Sequence, residues 1–276
     1  MSADRLLVIT PTLGDSEFLD ASIQAVRELP LQITHVISCP AAKIAEMRAR
    51  FPHCIVVRDA GREGAIYGAL NAALEQAPMD WGWFTYINDD DALTPGFGCM
   101  AREHFQRSNA EPVTYGDVRI ITDDGTPVSR ITTEKSPRYF APLLRQGISP
   151  LNQQGMLFRA DVVRELKGFD LRYKLCADLD FWLRAHAAGH AFRHYPIEVG
   201  KFRIRAGQLS GNVALTIREQ QDVVERVLPG SSSAFMLRWA RLRYRVLNLP
   251  RYLERRRNAG WSTSNALLSG GIEKRA

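Results

Sequence analysis

An α/β fold built on a mainly parallel, Rossmann-like sheet flanked by helices is predicted by three features of the 276-residue sequence. Its first ninety residues alternate short apolar runs of strand length with segments of helical periodicity. The apolar runs are unbroken rather than alternating, as strands covered on both faces should be. The connections are short, which favours right-handed βαβ units.

The elements follow in order. LLVIT (6–10) is the first strand, stopped by Pro11 and a loop through Gly14. Residues 17–29 place Phe18, Leu19, Ile23 and Val26 at helical spacing. ITHVIS (33–38) is a second strand, residues 41–50 a second helix, and CIVVR (54–58) a third strand. Residues 64–77 form a third helix and WGWFTYI (81–87) a fourth strand. VTYGDVRIITDDG (113–125) alternates like an antiparallel strand ending in an Asp-Gly turn. Residues 136–153 are rich in Pro and Gln and predict an irregular loop near a ligand. Residues 154–170 give a short strand, a helix from Ala160 and a stop at Gly168. Residues 176–190 give a helix with Asp178 and Asp180 near its start, and 190–205 two strands or one bent strand. Residues 1–212 therefore read as one domain, with halves 1–110 and 111–212, the second carrying a smaller antiparallel portion. Residues 213–276 read as a helical basic extension.

Composition narrows the class. Apolar residues make up 45%, enough for a real core. Cys39, Cys54, Cys99 and Cys176 are scattered without a C-x-x-C pair, which argues against a zinc or disulfide framework and fits a reducing compartment. The apolar run at the N-terminus is too brief for a signal peptide, and no stretch approaches the ~20 apolar residues of a membrane span. A soluble cytoplasmic protein is expected. Residues 231–276 carry ten Lys and Arg against Glu254 and Glu273, a net +8 that leaves −2 for residues 1–230. The basic balance thus belongs to the tail and does not point to nucleic acid at the main site. Within the tail, residues 234–257 mix Arg with Trp239, Leu242, Tyr244, Val246 and Leu247. They read as a basic amphipathic helix, either lying on an anionic membrane surface or docked on a protein with its arginines in water. Truncation after Gly230 is expected to leave a folded domain.

YINDDDALTPG (86–96) sets Asp89, Asp90 and Asp91 at the carboxyl end of the fourth strand, where open α/β sheets bind ligands. One reading is a solvated turn leading into a helix at Thr94-Pro95-Gly96. The other is a hard-oxygen site of clustered carboxylates for Mg²⁺ or Mn²⁺, which would hold a diphosphate. Asp178 is likewise either a helix cap or a functional carboxylate.

ITPTLG, GREGAIYGALNAAL, YINDDDALTPG, NQQGMLFR, LKGFDLRYKLCADLDFWLRA and KFRIRAGQLSG occur in that order over residues 5–212. The series resembles the inverting family-2 glycosyltransferases of GT-A fold. The resemblance implies transfer of a sugar from a UDP-, GDP- or dTDP-linked donor to a saccharide or lipid-linked acceptor, with Mn²⁺ or Mg²⁺ as cofactor, in surface polysaccharide biosynthesis. It also implies a place in the cytoplasm or at the inner membrane face. Residue by residue, it implies donor contacts from Pro11, Thr12, Glu63, Asn71, Asp89, Asp90 and Arg205. Asp90 and Asp91 fall on its metal motif, and Asp178 on its catalytic base. Gln153, Gln154 and Asp180 fall on the acceptor side. Departures stand at Gly68, where an Asp is usual, at Ser38, where a base-pairing Asp is usual, and at Ala177, where a Glu is usual. At Arg205 a metal-binding His is usual; a guanidinium cannot ligate a cation and is expected on the diphosphate instead. The alternatives are a sugar-nucleotide nucleotidyltransferase, disfavoured by the lack of a Gly-rich, Lys-containing phosphate loop after the first strand, and a non-catalytic nucleotide-sugar-binding relative.

Overall fold

The computed structural model describes residues 4–59, 61, 65–205, 208 and 212–259. Strand and helix alternate through β1 (Arg5–Pro11), α1 (Leu19–Arg27), β2 (Gln32–Cys39), α2 (Ile44–Arg50), β3 (Ile55–Arg58), α3 (Ala65–Gln76) and β4 (Trp83–Tyr86). These four strands are mutually parallel. Leu7 and Ile9 of β1 enter one core with Phe84, Tyr115 and Phe181, while Leu6 and Val8 enter another with Trp83, Phe97 and Met100. Burial of both faces is why the strands read as continuous apolar runs.

After β5 (Ala92–Leu93) comes α4 (Pro95–Phe105), begun by the Thr94 hydroxyl accepting from the Phe97 N–H. Then follow β6 (Val113–Ile121), β7 (Pro127–Ile131), α5 (Phe140–Leu144), β8 (Leu157–Arg159), α6 (Ala160–Leu166), α7 (Ala177–Ala187) and β9 (Phe192–Arg203). The sheet runs β3-β2-β1-β4-β8-β6-β9-β5, with β7 paired to β6. β5, β7 and β8 are antiparallel to their neighbours, whereas β6 and β9 are parallel to each other. The α/β expectation of a mainly parallel sheet with a smaller antiparallel portion is borne out. The strand order reverses between β1 and β4, so the loops after those two strands meet at a topological switch point.

Two local expectations differ, and one left open between two alternatives is resolved. Residues 137–144, expected as irregular loop, form a 3₁₀ turn and α5, because Tyr139, Phe140, Leu143 and Leu144 all find buried neighbours. β6 is buried on both faces instead of alternating, since it lies inside the sheet between β8 and β9. Residues 192–203 are one bent strand, with register shifts against β6 around Gly116. A Cβ at Gly116 would lie 2.5 Å from Val199 Cγ1 and 2.7 Å from the Ile197 carbonyl, so only glycine permits that approach.

The chain continues into α8 (Val213–Val227), α9 (Ala234–Leu247) and α10 (Leu249–Ala259). The single basic helix expected over 234–257 is broken at Asn248, just before Pro250. Proline within a helix removes a donor and crowds the preceding turn. Among the described residues no helix is long and apolar enough to cross a membrane.

The tail helices are seated on the domain and do not form a free extension. Val223 and Val224 of α8 belong to the main core, and Ala240 and Tyr244 of α9 pack with Tyr139 and Leu143. Asn248 is fully buried; its side chain accepts from the Thr132 N–H and donates to the Thr132 carbonyl, each at 3.1 Å, pairing with the backbone just past β7. Glu134, also fully buried, meets Arg243 at 3.1 Å. Truncation after Gly230 is therefore expected to destabilise the protein. The sharper variant is Asn248→Leu, which leaves the Thr132 N–H and C=O without their partner. Its expected cost is about 1–3 kcal/mol in urea unfolding; an unchanged midpoint would show that α9 and α10 do not hold the sheet edge.

Candidate functional site

The loops after β1 and β4 lock together at the switch point. Thr12 Oγ1 donates to Asp89 Oδ2 at 2.6 Å and accepts from the Gly14 N–H at 2.9 Å. Ser16 Oγ donates to the Asp89 carbonyl and Ser22 Oγ to the Asn88 carbonyl, both at 3.1 Å. Pro11 ends β1 opposite Ser38, and the Thr12 N–H donates to the Ser38 carbonyl at 2.9 Å. The Ser38 hydroxyl is buried and donates to the Ala69 carbonyl at 2.8 Å. Burial pushes the Asp89 carboxyl above its usual range, against the pull of the Thr12 hydroxyl.

The three aspartates are not equivalent. Asp91 is 2% exposed, and its oxygens accept from the Arg203 N–H at 2.9 Å, Gln154 Nε2 at 2.7 Å and Asn88 Nδ2 at 3.3 Å. Burial, then the neighbouring Asp90, pushes its carboxyl well up. Asp90 stands at the rim, with Arg205 Nε 2.8 Å from its Oδ2. Arg203 supports the same turn: its guanidinium donates to the Asp90 carbonyl at 3.0 Å and to the carbonyls of Thr122 and Asp123, and it lies 4.1 Å over the Phe18 ring. The sequence reading missed Arg203, although KFRIR contains it. Only the register of β9 reveals which of its arginines supplies the backbone donor to Asp91.

Gln153 and Gln154 join this strand end to a second feature. Gln153 donates to the Tyr86 carbonyl at 2.6 Å, and its Oε1 is buried without a donor among the described residues. Gly155 at φ +81°, its Cα packed against Val199, sets the turn that aims both amides. Gln153, Gln154, Asp178, Trp182, Phe202 and Thr216 line a cavity of about 220 Å³.

Asp178 lies in the first turn of α7, and its carboxylate accepts from the adjacent Leu179 N–H at 2.7 Å. The N-cap position is Cys176, whose side chain makes no capping bond. The amide donors ahead of α7 are met by Glu219 of α8, which accepts from the N–H groups of Lys174, Leu175 and Cys176 at 3.0, 2.8 and 3.0 Å. This second missed residue is 43–45 positions from its partners, and no local signal announces it. Asp178 itself meets one first-turn amide of α7, and its carboxyl is held up to about 6 by burial, against the Leu179 N–H and the Tyr67 hydroxyl.

Other expected site residues sit elsewhere. Asp180 is fully buried on the opposite side of α7, bonded to Arg184 at 2.7 Å and to Arg226, and it does not line the cavity. Asn71 exchanges two hydrogen bonds with the Phe169 backbone, at 2.8 and 2.9 Å, holding the turn that follows α6. Glu63 lies outside the described residues. Among the described residues, no group of three or more His, Cys, Asp or Glu has metal-binding geometry.

Residues 7–166 match the family model described as glycosyl transferase family 2. No curated protein matches the chain. Among solved structures, TarS 1–349 of S. aureus is 12% identical with a TM-score of 0.58, over 92% of this chain and 74% of that one. The same TarS fragment in complex with UDP is 14% identical with a TM-score of 0.55, over 88% and 72%. The mannosyltransferase PcManGT from Pyrobaculum calidifontis, in complex with GDP-Man and Mn²⁺, is 13% identical with a TM-score of 0.57, over 95% and 77%. At such identities the likeness is one of fold, the GT-A arrangement.

The inequality of the aspartates makes a prediction. Asp91→Ala strands three buried donors and should cost about 1–3 kcal/mol, seen as a lowered melting temperature. Asp90→Ala removes a rim group from a partly exposed ion pair, worth ~0–1 kcal/mol, and should melt near the parent. Equal losses in both variants would mean Asp91 is not the structural member.

Proposed function

The chain belongs to glycosyl transferase family 2, and on that premise we propose that it transfers a sugar, with inversion, from a nucleotide-sugar donor to an acceptor hydroxyl. The observation that carries this reading is the placement of Asp178. Its carboxyl, raised to about 6, lines the same cavity as Gln153 and Gln154, which bond to Tyr86 and Asp91 at the strand end bearing Asp89 and Asp90. One carboxylate group faces the donor's diphosphate and a separate one faces the acceptor. The reading of the acceptor as a saccharide or lipid-linked hydroxyl, and of the pathway as surface polysaccharide synthesis on the cytoplasmic side, extends the family resemblance.

Asp178 accepts the acceptor's hydroxyl proton as that oxygen attacks the anomeric carbon from the face opposite the diphosphate, whose bond to carbon breaks. Gln153 Oε1, buried without a donor among the described residues, can receive a hydrogen bond from a hydroxyl in the cavity. Thr12 fixes the Asp89 carboxylate, and Arg205, 41% exposed at the rim, presents positive charge toward a diphosphate lying over the switch point.

The residues fit a divalent cation through one carboxylate. Asp90 is at the rim, and Mg²⁺ is commonly held by one or two carboxylates with water and substrate phosphates completing its shell. The second expected ligand, Asp91, does not fit, because its oxygens are already engaged by three N–H donors. When bound, such a cation supplies neutralisation of the charge gathering on the departing diphosphate. GDP-Man and Mn²⁺ in the mannosyltransferase, and UDP in TarS, support a nucleotide-sugar donor here.

Two outcomes are expected. Asp90→Asn should lose Mn²⁺-dependent binding of UDP or GDP in calorimetry, at unchanged melting temperature; parental affinity would remove Asp90 from the donor site. Asp178→Asn should reduce turnover by about 10²-fold or more with donor affinity kept. In the parent, kcat/KM should fall as pH drops through about 6, where the base becomes protonated. The stability effect has the opposite sense. A carboxyl raised in the fold makes ionisation costly, a cost absent below the ordinary 3.8 and complete above about 6. Asp178→Asn should therefore melt no lower than the parent at pH 8. Near-normal turnover by Asp178→Asn would place the base elsewhere.

A further inference from the structure

Helix α9 is apolar on two opposite faces. Its inner face, Ala240 and Tyr244, is buried against Tyr139 and Leu143. Its outer face should then be polar, as on any surface helix docked by one stripe. Instead Phe235, Trp239, Leu242 and Val246 are 76%, 47%, 55% and 63% exposed, and on α10 Leu249 and Leu253 are 55% and 59% exposed. The spacing of four, three and four residues puts the α9 members on one side of the helix, about 150° from the buried pair. The four α9 side chains share one side of that helix and Leu249 with Leu253 one side of the next, a grouping unlike singly scattered exposed hydrophobics; Trp239 at the stripe's inner edge also donates its Nε1–H to the Tyr139 hydroxyl at 3.2 Å.

The charge beside the row selects what covers it. Arg238, Arg241 and Arg245 are exposed along one flank of the α9 stripe, and α9 contains no Asp or Glu. Glu254 of α10 is engaged with Arg119 and with the Arg130 N–H. Arg256 and Arg257 add exposed positive charge at the end of α10. A second copy of the chain laid on this face would bring arginine flanks together with no carboxylate on α9 to pair them. An anionic lipid surface answers both halves of the pattern: apolar side chains enter the boundary between headgroups and acyl chains while guanidinium groups meet the phosphates.

We propose that the outer face of α9 and α10 is a membrane-docking surface, which seats the domain on anionic lipid with Phe235, Trp239, Leu242, Val246, Leu249 and Leu253 inserted and Arg238, Arg241 and Arg245 on headgroup phosphates. The helices lie on the bilayer rather than spanning it. None of these residues touches the switch point or the cavity, so the surface stands apart from the transfer reading.

The test is co-sedimentation of the full chain with vesicles of phosphatidylcholine alone and of phosphatidylcholine with phosphatidylglycerol. Binding is expected to the anionic vesicles, weakening as salt rises. Two variants change only exposed positions, Leu242→Glu with Val246→Glu, and Arg238→Ala with Arg241→Ala and Arg245→Ala. Each should keep the parental melting temperature and nucleotide binding, yet lose about tenfold or more of the vesicle affinity. Absence of parental binding to anionic vesicles overturns the proposal, as does binding that survives either variant. A dimer in sedimentation equilibrium that Leu242→Glu dissolves, without vesicle binding, would assign the face to a second copy and overturn it too. Loss of nucleotide binding by the parent would bear on the transfer reading and leave the docking surface standing.

Discussion

The Asp91 carboxylate, 2% exposed, joins three parts of the chain that are far apart in sequence. Its hydrogen bonds reach the backbone of β9 at Arg203, the side chain of Gln154 before β8, and Asn88 at the end of β4. Burying a carboxylate is costly unless hydrogen bonds replace the lost water. Once those bonds exist, the end of β4, the loop before β8 and the last turn of β9 have little freedom to move independently. That constraint places Asp89 and Asp90 at the rim, and sets Gln153 and Gln154 between them and the cavity. The crowding of three carboxylates is thereby resolved unequally, with one group built into the fold and two left toward solvent.

The same device recurs around the cavity. Glu219 gathers three backbone N–H groups ahead of α7, and Asp180 is clasped by Arg184 and Arg226 on the far side of that helix. α7 is thus fixed at its entrance and along its back, and α8 supplies both Glu219 and Arg226. Asp178, in the first turn between these anchors, accepts from the Leu179 N–H and makes no ion pair, so its carboxyl is tuned mainly by burial. A carboxylate without an ion-pair partner and raised toward neutral pH suits proton acceptance. The helices after residue 212 are consequently part of what shapes the cavity, which Thr216 and Gln220 of α8 help to line.

Much of the fold was legible locally. The unbroken runs of β1 to β4, the helical spacing of Phe18, Leu19, Ile23 and Val26, and the Thr94-Pro95 helix start are signals contained within a few residues, and the elements appear where those signals lie. Residues 137–144 and the two-faced burial of β6 were not legible, because what decides them is the presence of neighbours contributed by distant segments.

The sequence by itself determined the parallel α/β framework and the position of the Asp89–Asp91 turn at a strand's carboxyl end, since hydrophobic periodicity and chain order suffice for both. Which of the three aspartates is buried, that Asn71 and Asp180 serve the scaffold, and that Glu219 gathers the amides ahead of α7 were settled only by the tertiary structure. It alone decided, too, that the outer rather than the inner stripe of α9 is left in water. Each of those outcomes turns on the partner a side chain meets across more than forty residues of chain or on the far side of its helix. Such meetings are fixed by strand register and helix docking, which no local pattern of residue types encodes.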